Sequence, residues 1–141
     1  MRKNINGALY NQSVTIVEPA GEAITDCRNK FLNYDIAGNV VLAVDGTKPI
    51  LGIAIIEAGC NDISGVESGN VKAGEDIDIQ IKDIGYVIAA DEIAKGAEVT
   101  ATAGGLAVTA AAGDFVAGIA LGAASKDGYC RVQIVHYQKN A

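Results

Sequence analysis

Residues 98–121 read EVTATAGGLAVTAAAGDFVAGIAL, and this stretch carries the pattern that decides the fold. Two short apolar runs, residues 99–102 and 106–109, flank the pair Gly104-Gly105. Such a pair between two strand-like runs is typical of a β-hairpin, because glycine readily adopts the positive φ angles of tight turns. A third apolar run, residues 115–121, follows after a few small and polar residues. The stretch therefore predicts successive short strands.

The same succession of short apolar runs, separated by polar residues and glycines, continues on both sides of this stretch. Ile77, Ile79 and Ile81 alternate with polar residues, which predicts a strand with one buried face. Further strands are predicted at residues 14–17, 40–44, 50–56, 85–90 and 129–137. The alternation of the last strand places Cys130, Val132, Ile134 and His136 on one face and Tyr129, Arg131, Gln133, Val135 and Tyr137 on the other.

Composition supports a β-rich core. Half of the residues are hydrophobic, but only 5% are aromatic and tryptophan is absent, so Val, Ile, Ala and Leu must fill the core. β-Branched side chains suit a pleated surface, and 17 glycines against 2 prolines indicate frequent turns. With 141 residues, we expect one compact all-β domain, a small β-barrel or sandwich.

The start of the chain differs from the rest. Residues 1–12 are polar, mildly basic and without clear periodicity, which favours an extended N-terminal arm. We therefore divide the chain into residues 1–22, an arm with a first short strand, and residues 23–141, a single β-rich domain. Residues 23–34 have a loosely helical spacing of apolar side chains and are compatible with one or two helical turns.

One short sequence pattern occurs twice in the chain. Residues 49–55 and 115–121 both contain an apolar run with a glycine in the middle, Gly52 and Gly118, followed by Ile-Ala. A glycine inside a strand usually marks a bulge, a bend or a close approach of another backbone. Two such copies fit a fold that bends at equivalent places.

Charge excludes several classes of partner. The formal net charge is −6; residues 1–34 hold four of the 11 basic and three of the 17 acidic residues, so residues 35–141 carry an excess of seven acidic ones. An acidic body is repelled by phosphate backbones, and we expect no nucleic-acid partner. The apolar runs are much shorter than the roughly 18 residues of a membrane span, and the start lacks the apolar part of a signal peptide. We therefore expect a soluble protein made inside a cell.

The chemistry-bearing residues do not form a catalytic pattern. Cys27, Cys60 and Cys130 are widely spaced without a CxxC pair, so we expect reduced thiols, although a disulfide between two of them stays open. His136 shares its predicted face with apolar side chains and is expected to be packed or partly buried rather than to act as a ligand or base. It is about 20 Å from Cys130 along the strand, too far for a thiol–imidazole pair.

Other site motifs are absent or weak. Asp76 and Asp78 fit the solvent face of a strand rather than a calcium site. Neither a GxSxG elbow nor a glycine-rich phosphate loop is present. We predict no catalytic, cofactor-binding or metal-binding residues, and hence a protein that is not an enzyme.

The order of elements from residue 14 to residue 135 resembles a family of small phage capsid decoration, or cement, proteins. The matching text is VTIVEPAGEAI from residue 14, DIAGNVVLAVDGTKPILGIAI from residue 35, and AGEDIDIQIKDIGYVIAADEIAKGAEVTATAGGLAVTAAAGDFVAGIALGAASKDGYCRVQIV from residue 73. The two Gly-Ile-Ala elements fall at the expected places. The resemblance depends on the order and spacing of these elements.

This resemblance implies a β-barrel-like or β-tulip domain that binds the outside of an assembled icosahedral head, with the major capsid protein as partner. It also implies a homo-oligomer, with a trimer favoured, whose N-terminal segments reach neighbouring capsid subunits. Such a protein is made in the host cytoplasm and ends in the virion, on the capsid surface.

Other classes remain open. The alternatives are a β-rich oligomerisation or binding module of another assembly, the base of a head fibre, and a small enzyme with residues recruited across subunits. In the last case, copies of His136 or of a cysteine around a three-fold axis would bind a metal.

Overall fold

The structure is a computed structural model that describes residues 13–56 and 58–141. Most of the expected arm, residues 1–12, lies outside the described residues. The described chain contains ten strands and one short 3-10 turn, Ala103–Gly105. The strands are β1 (Thr15–Pro19), β2 (Phe31–Tyr34), β3 (Val40–Leu42), β4 (Gly52–Ala54), β5 (Asp76–Gln80), β6 (Ile84–Ile88), β7 (Glu98–Thr102), β8 (Leu106–Thr109), β9 (Phe115–Ala120) and β10 (Tyr129–Gln138). The all-β prediction is confirmed.

The strands form two five-stranded sheets rather than one closed barrel. The first sheet has the order β1-β5-β4-β2-β3 and the second has the order β6-β10-β9-β7-β8. All pairs of neighbouring strands are antiparallel. The hairpin expected around Gly104 and Gly105 is present as β7 and β8, with both glycines at positive φ.

The second sheet repeats the strand order of the first. Subtracting five from each strand number turns the second order into the first. We call β1–β5 the first half of the fold and β6–β10 the second half. Isolated bridges repeat too: Ala20–Val40 and Ile24–Val71 in the first half match Ala89–Ala107 and Ile93–Ala124 in the second. Gly52 and Gly118 hold equivalent places in β4 and β9. The short sequence similarity between residues 49–55 and 115–121 therefore belongs to a repeat of the whole five-strand unit.

Each half has a core of its own. Several buried residues of the first core have buried counterparts at the same positions of the second. In chain order these are Ala20, Ile24, Leu32, Val40, Ala54, Ile77 and Ile79 in the first half, and Ala89, Ile93, Val99, Ala107, Ala120, Cys130 and Val132 in the second. This correspondence indicates that the two halves pack their cores in the same way.

The outer face of the first sheet joins the halves together. Phe31 and Ile53 are paired across β2 and β4, are almost fully buried, and belong to the core of the second half. Backbone hydrogen bonds cross the same junction, from the Gly105 N–H to the Ala43 carbonyl and from the Phe115 N–H to the Gly46 carbonyl, both 2.8 Å long. The result is a sandwich-like body in which one sheet closes the core of the other.

The segment 23–34, for which helical turns were compatible with the sequence, is not helical. It holds an isolated bridge at Ile24 and a turn at Arg28 and Asn29 before β2 begins, and Asp26 and Asn29 have positive φ angles of 47° and 57°. Helical backbone has negative φ, so these two residues interrupt any helix. Phe31 and Leu32 are fully buried in the sheet, where ladder pairing and packing outweigh the loosely helical spacing.

Candidate interaction surfaces

The outer side of β6 and β10 exposes an unusual group of large side chains. Tyr86 lies opposite Arg131 in the antiparallel register, and Ile88 lies opposite Tyr129. Ile84, Tyr86 and Tyr129 are 52%, 51% and 59% exposed. We call Ile84, Tyr86, Tyr129 and Arg131 the tyrosine face.

The tyrosine face has the composition of a protein-binding surface. Tyrosine and arginine are enriched among the residues that dominate binding energy at protein interfaces. Arg131 makes no ion pair or side-chain hydrogen bond within residues 13–56 and 58–141, and neither does the Tyr86 hydroxyl. These groups are therefore available to a partner.

The equivalent surface of the first half is acidic. Val17 lies opposite Asp78, at the positions that Tyr86 and Arg131 hold in the second half. Pro19 lies opposite Asp76, at the positions that Ile88 and Tyr129 hold there. Val17 is 54% exposed, Asp76 is exposed and Asp78 is half-buried. We call Val17, Asp76 and Asp78 the acidic face. Both carboxylates lack a side-chain partner in the described chain.

A cleft of about 700 Å³ lies beside the acidic face. Asp76 and Asp78 line it together with Glu67, Glu75 and Lys72. Within the described residues, no group of three His, Cys, Asp or Glu side chains has the arrangement of a metal site. The cleft therefore adds negative charge beside the acidic face.

A long connection protrudes between β4 and β5. It spans residues 55–75, whereas the corresponding connection between β9 and β10 spans residues 121–128. We call residues 58–70 the insert loop, because the second half joins the equivalent strands without it. Ile63 is 107% exposed and Val66 is 83% exposed. The shorter connection of the second half shows that equivalent strands can be joined without Ile63 and Val66.

The insert loop is braced by one carboxylate. Asp62 accepts hydrogen bonds from the Ser64 hydroxyl and from the Ser64 and Glu67 backbone N–H groups, the last two at 3.3 Å. Ser68 closes the loop, because its hydroxyl donates to the Asp62 carbonyl at 3.2 Å. The hydroxyl of Ser64 is the main cause that lowers the pKa of Asp62, followed by the backbone N–H groups. Internal bracing of this kind holds Ile63 and Val66 outward.

The open edge of β6 is covered by polar side chains of the first half. The Asn29 amide donates to the Tyr86 carbonyl at 3.0 Å, and the Gln80 amide donates to the Ile84 carbonyl at 2.8 Å. The Ile88 N–H donates to the Asn29 carbonyl at 3.0 Å. Covered edges discourage strand addition, so β6 presents its side chains and not its backbone to a partner.

The three cysteines are free. Cys27 and Cys130 are buried, and Cys60 is exposed in the insert loop. Burial raises the pKa of Cys27 to about 11, and burial also raises that of Cys130. Neither buried thiol has the depressed pKa of a nucleophile.

His136 is not packed into the core, although partial burial lowers the pKa of its imidazole. The register between β9 and β10 shifts between Ile134 and Tyr137, and this irregularity breaks the alternation that buries Cys130 and Val132. His136 is consequently exposed. The alternation predicted for the preceding residues is confirmed, as is that of Ile77 and Ile79.

Sequence reasoning missed two of these surfaces. The insert loop was not predicted, although the cluster of Gly, Ser, Asn and Asp at residues 59–70 is a loop signal. The tyrosine face needs the pairing of β6 with β10, which connects residues far apart in the chain.

No helix in the described part of the chain is long and apolar enough to cross a membrane.

Comparison with known proteins identifies a similar fold. No family model matches the sequence, and no curated protein matches it. Among solved structures, the chain is similar to the crystal structure of the head fiber gp8.5 N base in bacteriophage phi29, with a TM-score of 0.57 and 17% sequence identity. The similarity covers 91% of this chain and 98% of that chain. The two proteins therefore share the β-rich fold over nearly their whole described length.

Proposed function

We propose that this chain is a structural protein of a phage head that binds the outer surface of the capsid and stabilises the shell, as a decoration or cement protein does. The observation that carries this proposal is the similarity to the head fiber base, which covers 98% of that chain. The order of sequence elements between residues 14 and 135, which resembles cement proteins, supports it independently. In this proposal the major capsid protein is the partner and the chain has no catalytic role.

The physical properties of the fold suit such a role. A protein that links capsid subunits must keep its shape under load, and two five-stranded sheets with joined cores form a rigid body. Many copies on one shell act together, so a modest affinity of each copy is sufficient. The insert loop is the first candidate for the capsid contact, because Ile63 and Val66 are held outward without serving the core. Residues 1–12 are a second candidate, as an arm that reaches a neighbouring subunit.

Co-sedimentation tests the proposal. Empty heads of the phage that encodes the chain, assembled without it, are mixed with the purified protein, and bound protein is measured. We expect saturable binding, and a variant with Ile63→Asp and Val66→Asp to bind at least about tenfold more weakly, since interface hot spots commonly exceed 1.4 kcal/mol. The matched control is Val44→Asp, which changes another exposed β-branched residue, 60% exposed, outside the loop.

The outcomes separate the parts of the proposal. Heads that bind none of the protein contradict capsid binding as a whole. Equal binding of the loop variant and of the Val44→Asp control contradicts the role of the insert loop. Unchanged occupancy after deletion of residues 2–12 contradicts the role of the arm.

A second candidate function is the base of a head fibre, which the similarity to the phi29 structure specifically favours. Both candidates bind heads, but only a cement protein is expected to strengthen them. Thermal rupture of empty heads, measured with and without saturating protein, distinguishes the two. A higher rupture temperature supports the cement function, and an unchanged one supports the fibre base.

A further inference from the structure

The tyrosine face and the acidic face are the same part of the fold in its two halves. The register places Asp78 of β5 and Arg131 of β10 at equivalent positions. Asp78 lies opposite Val17, and Arg131 lies opposite Tyr86. The backbone geometry is therefore shared, while the charge is reversed. One half presents two carboxylates and the other presents a guanidinium between tyrosines.

Neither set of charges is neutralised by another side chain of the described residues. Arg131, Asp76 and Asp78 form no ion pair within the described residues. By contrast, Arg28 is paired with Asp26 at 2.7 Å, and Lys139 is paired with Glu98 at 3.2 Å. Both faces also carry an exposed apolar side chain beside their charges, Val17 on one and Ile84 on the other.

We propose that the tyrosine face of one copy docks on the acidic face of a second copy. Arg131 then lies against Asp76 and Asp78 of the neighbour, and Tyr86 and Tyr129 cover the neighbour's Val17. Opposite charges that meet across an interface fix its register and disfavour other pairings. The tyrosines supply apolar area at the same contact.

The contact joins two different faces, which limits the symmetry of the assembly. A contact between two different surfaces is heterologous, and it generates either a ring or an open filament.

Sedimentation equilibrium of the free protein tests this contact. We expect the mass to rise with concentration from 14.4 kDa to a multiple of it. Arg131→Asp and Asp78→Arg are each expected to weaken association at least about tenfold, because close interfacial charge pairs couple by more than that factor. The double variant R131D/D78R restores the opposite charges in swapped positions and is expected to recover association. Lys48→Asp is the matched control, since Lys48 is an exposed lysine of the loop between β3 and β4.

Three results would overturn the contact. One is a monomer at all concentrations up to about 1 mM, where even millimolar contacts are populated. Another is association of Arg131→Asp equal to that of Lys48→Asp. The third is a double variant no better than the weaker single variant. Circular dichroism of each variant verifies that it is folded, and head binding is measured separately, so this contact and the proposed function fail or succeed independently.

Discussion

Gly52 and Gly118 occupy equivalent positions, and at both of them the neighbouring strand leaves no room for a side chain. A Cβ on Gly118 would meet the Val132 side chain and lie 2.6 Å from the Gln133 carbonyl oxygen. A Cβ on Gly52 would meet the carbonyl oxygen of Gln80, which is the equivalent residue of β5. Of the roles that a mid-strand glycine can have, close approach of another backbone is the one found here.

We therefore expect Gly118→Ala to destabilise the fold by about 1–3 kcal/mol, the usual effect of overpacking a core. The nearest atoms include backbone, which cannot rotate away as a side chain can. Thermal unfolding monitored by circular dichroism measures the loss. Gly122→Ala is the control, because a Cβ there has nothing within 4 Å and the backbone is outside the positive-φ region. Equal melting temperatures of the two variants would contradict the close approach.

At the scale of elements, the insert loop depends on the charge of Asp62. Hydrogen bonds from Ser64 and Glu67 lower the pKa of this carboxyl, because they stabilise its ionised form. A group with a lowered pKa contributes its bracing above its unfolded pKa and loses it as the pH falls through the lowered value. The loop is thus expected to be ordered near neutral pH and to loosen in acid.

Hydrogen exchange of individual amides tests this expectation. Lowering the pH through the acidic range should reduce protection of the Ser64 and Glu67 N–H groups relative to those of β5. Asp62→Ala should show the same low protection at neutral pH. Asp45→Ala is the control, since the Asp45 carboxylate accepts from the Thr47 N–H at 2.9 Å in a different loop. Full protection of Glu67 in Asp62→Ala would show that other contacts brace the loop.

Local pattern predicted most strands, because burial on one face leaves alternation in the sequence. Ile77 and Ile79 are fully buried as expected, and the last strand extends through residues 129–137. Errors occur where tertiary contacts override the pattern, at the non-helical segment 23–34 and at the irregularity before Tyr137. The repeat of strand order was hidden, since equivalent positions hold different side chains, such as Asp78 and Arg131, and only pairing reveals them.

For the whole molecule, the shared junction couples the two halves. Phe31 belongs to β2 of the first half but packs in the core of the second, whereas its neighbour Leu32 packs in the core of the first. Adjacent residues of one strand therefore support different cores. If the second half needs the first to close its core, the halves cannot unfold separately.

Two variants of adjacent residues decide between coupled and independent halves. We expect Phe31→Ala to lose about 3–5 kcal/mol and Leu32→Ala about 2–5 kcal/mol of unfolding free energy, because each leaves a cavity in a buried core. In a coupled molecule, urea unfolding of either variant is a single transition at a lower midpoint, whether followed by circular dichroism or by tyrosine fluorescence. Independent halves would instead give Leu32→Ala two transitions, one lowered and one unchanged from that of the original protein. Of the tyrosines in the described residues, Tyr34 lies in the first half and Tyr86, Tyr129 and Tyr137 lie in the second, so tyrosine fluorescence reports mainly on the second half and circular dichroism on both.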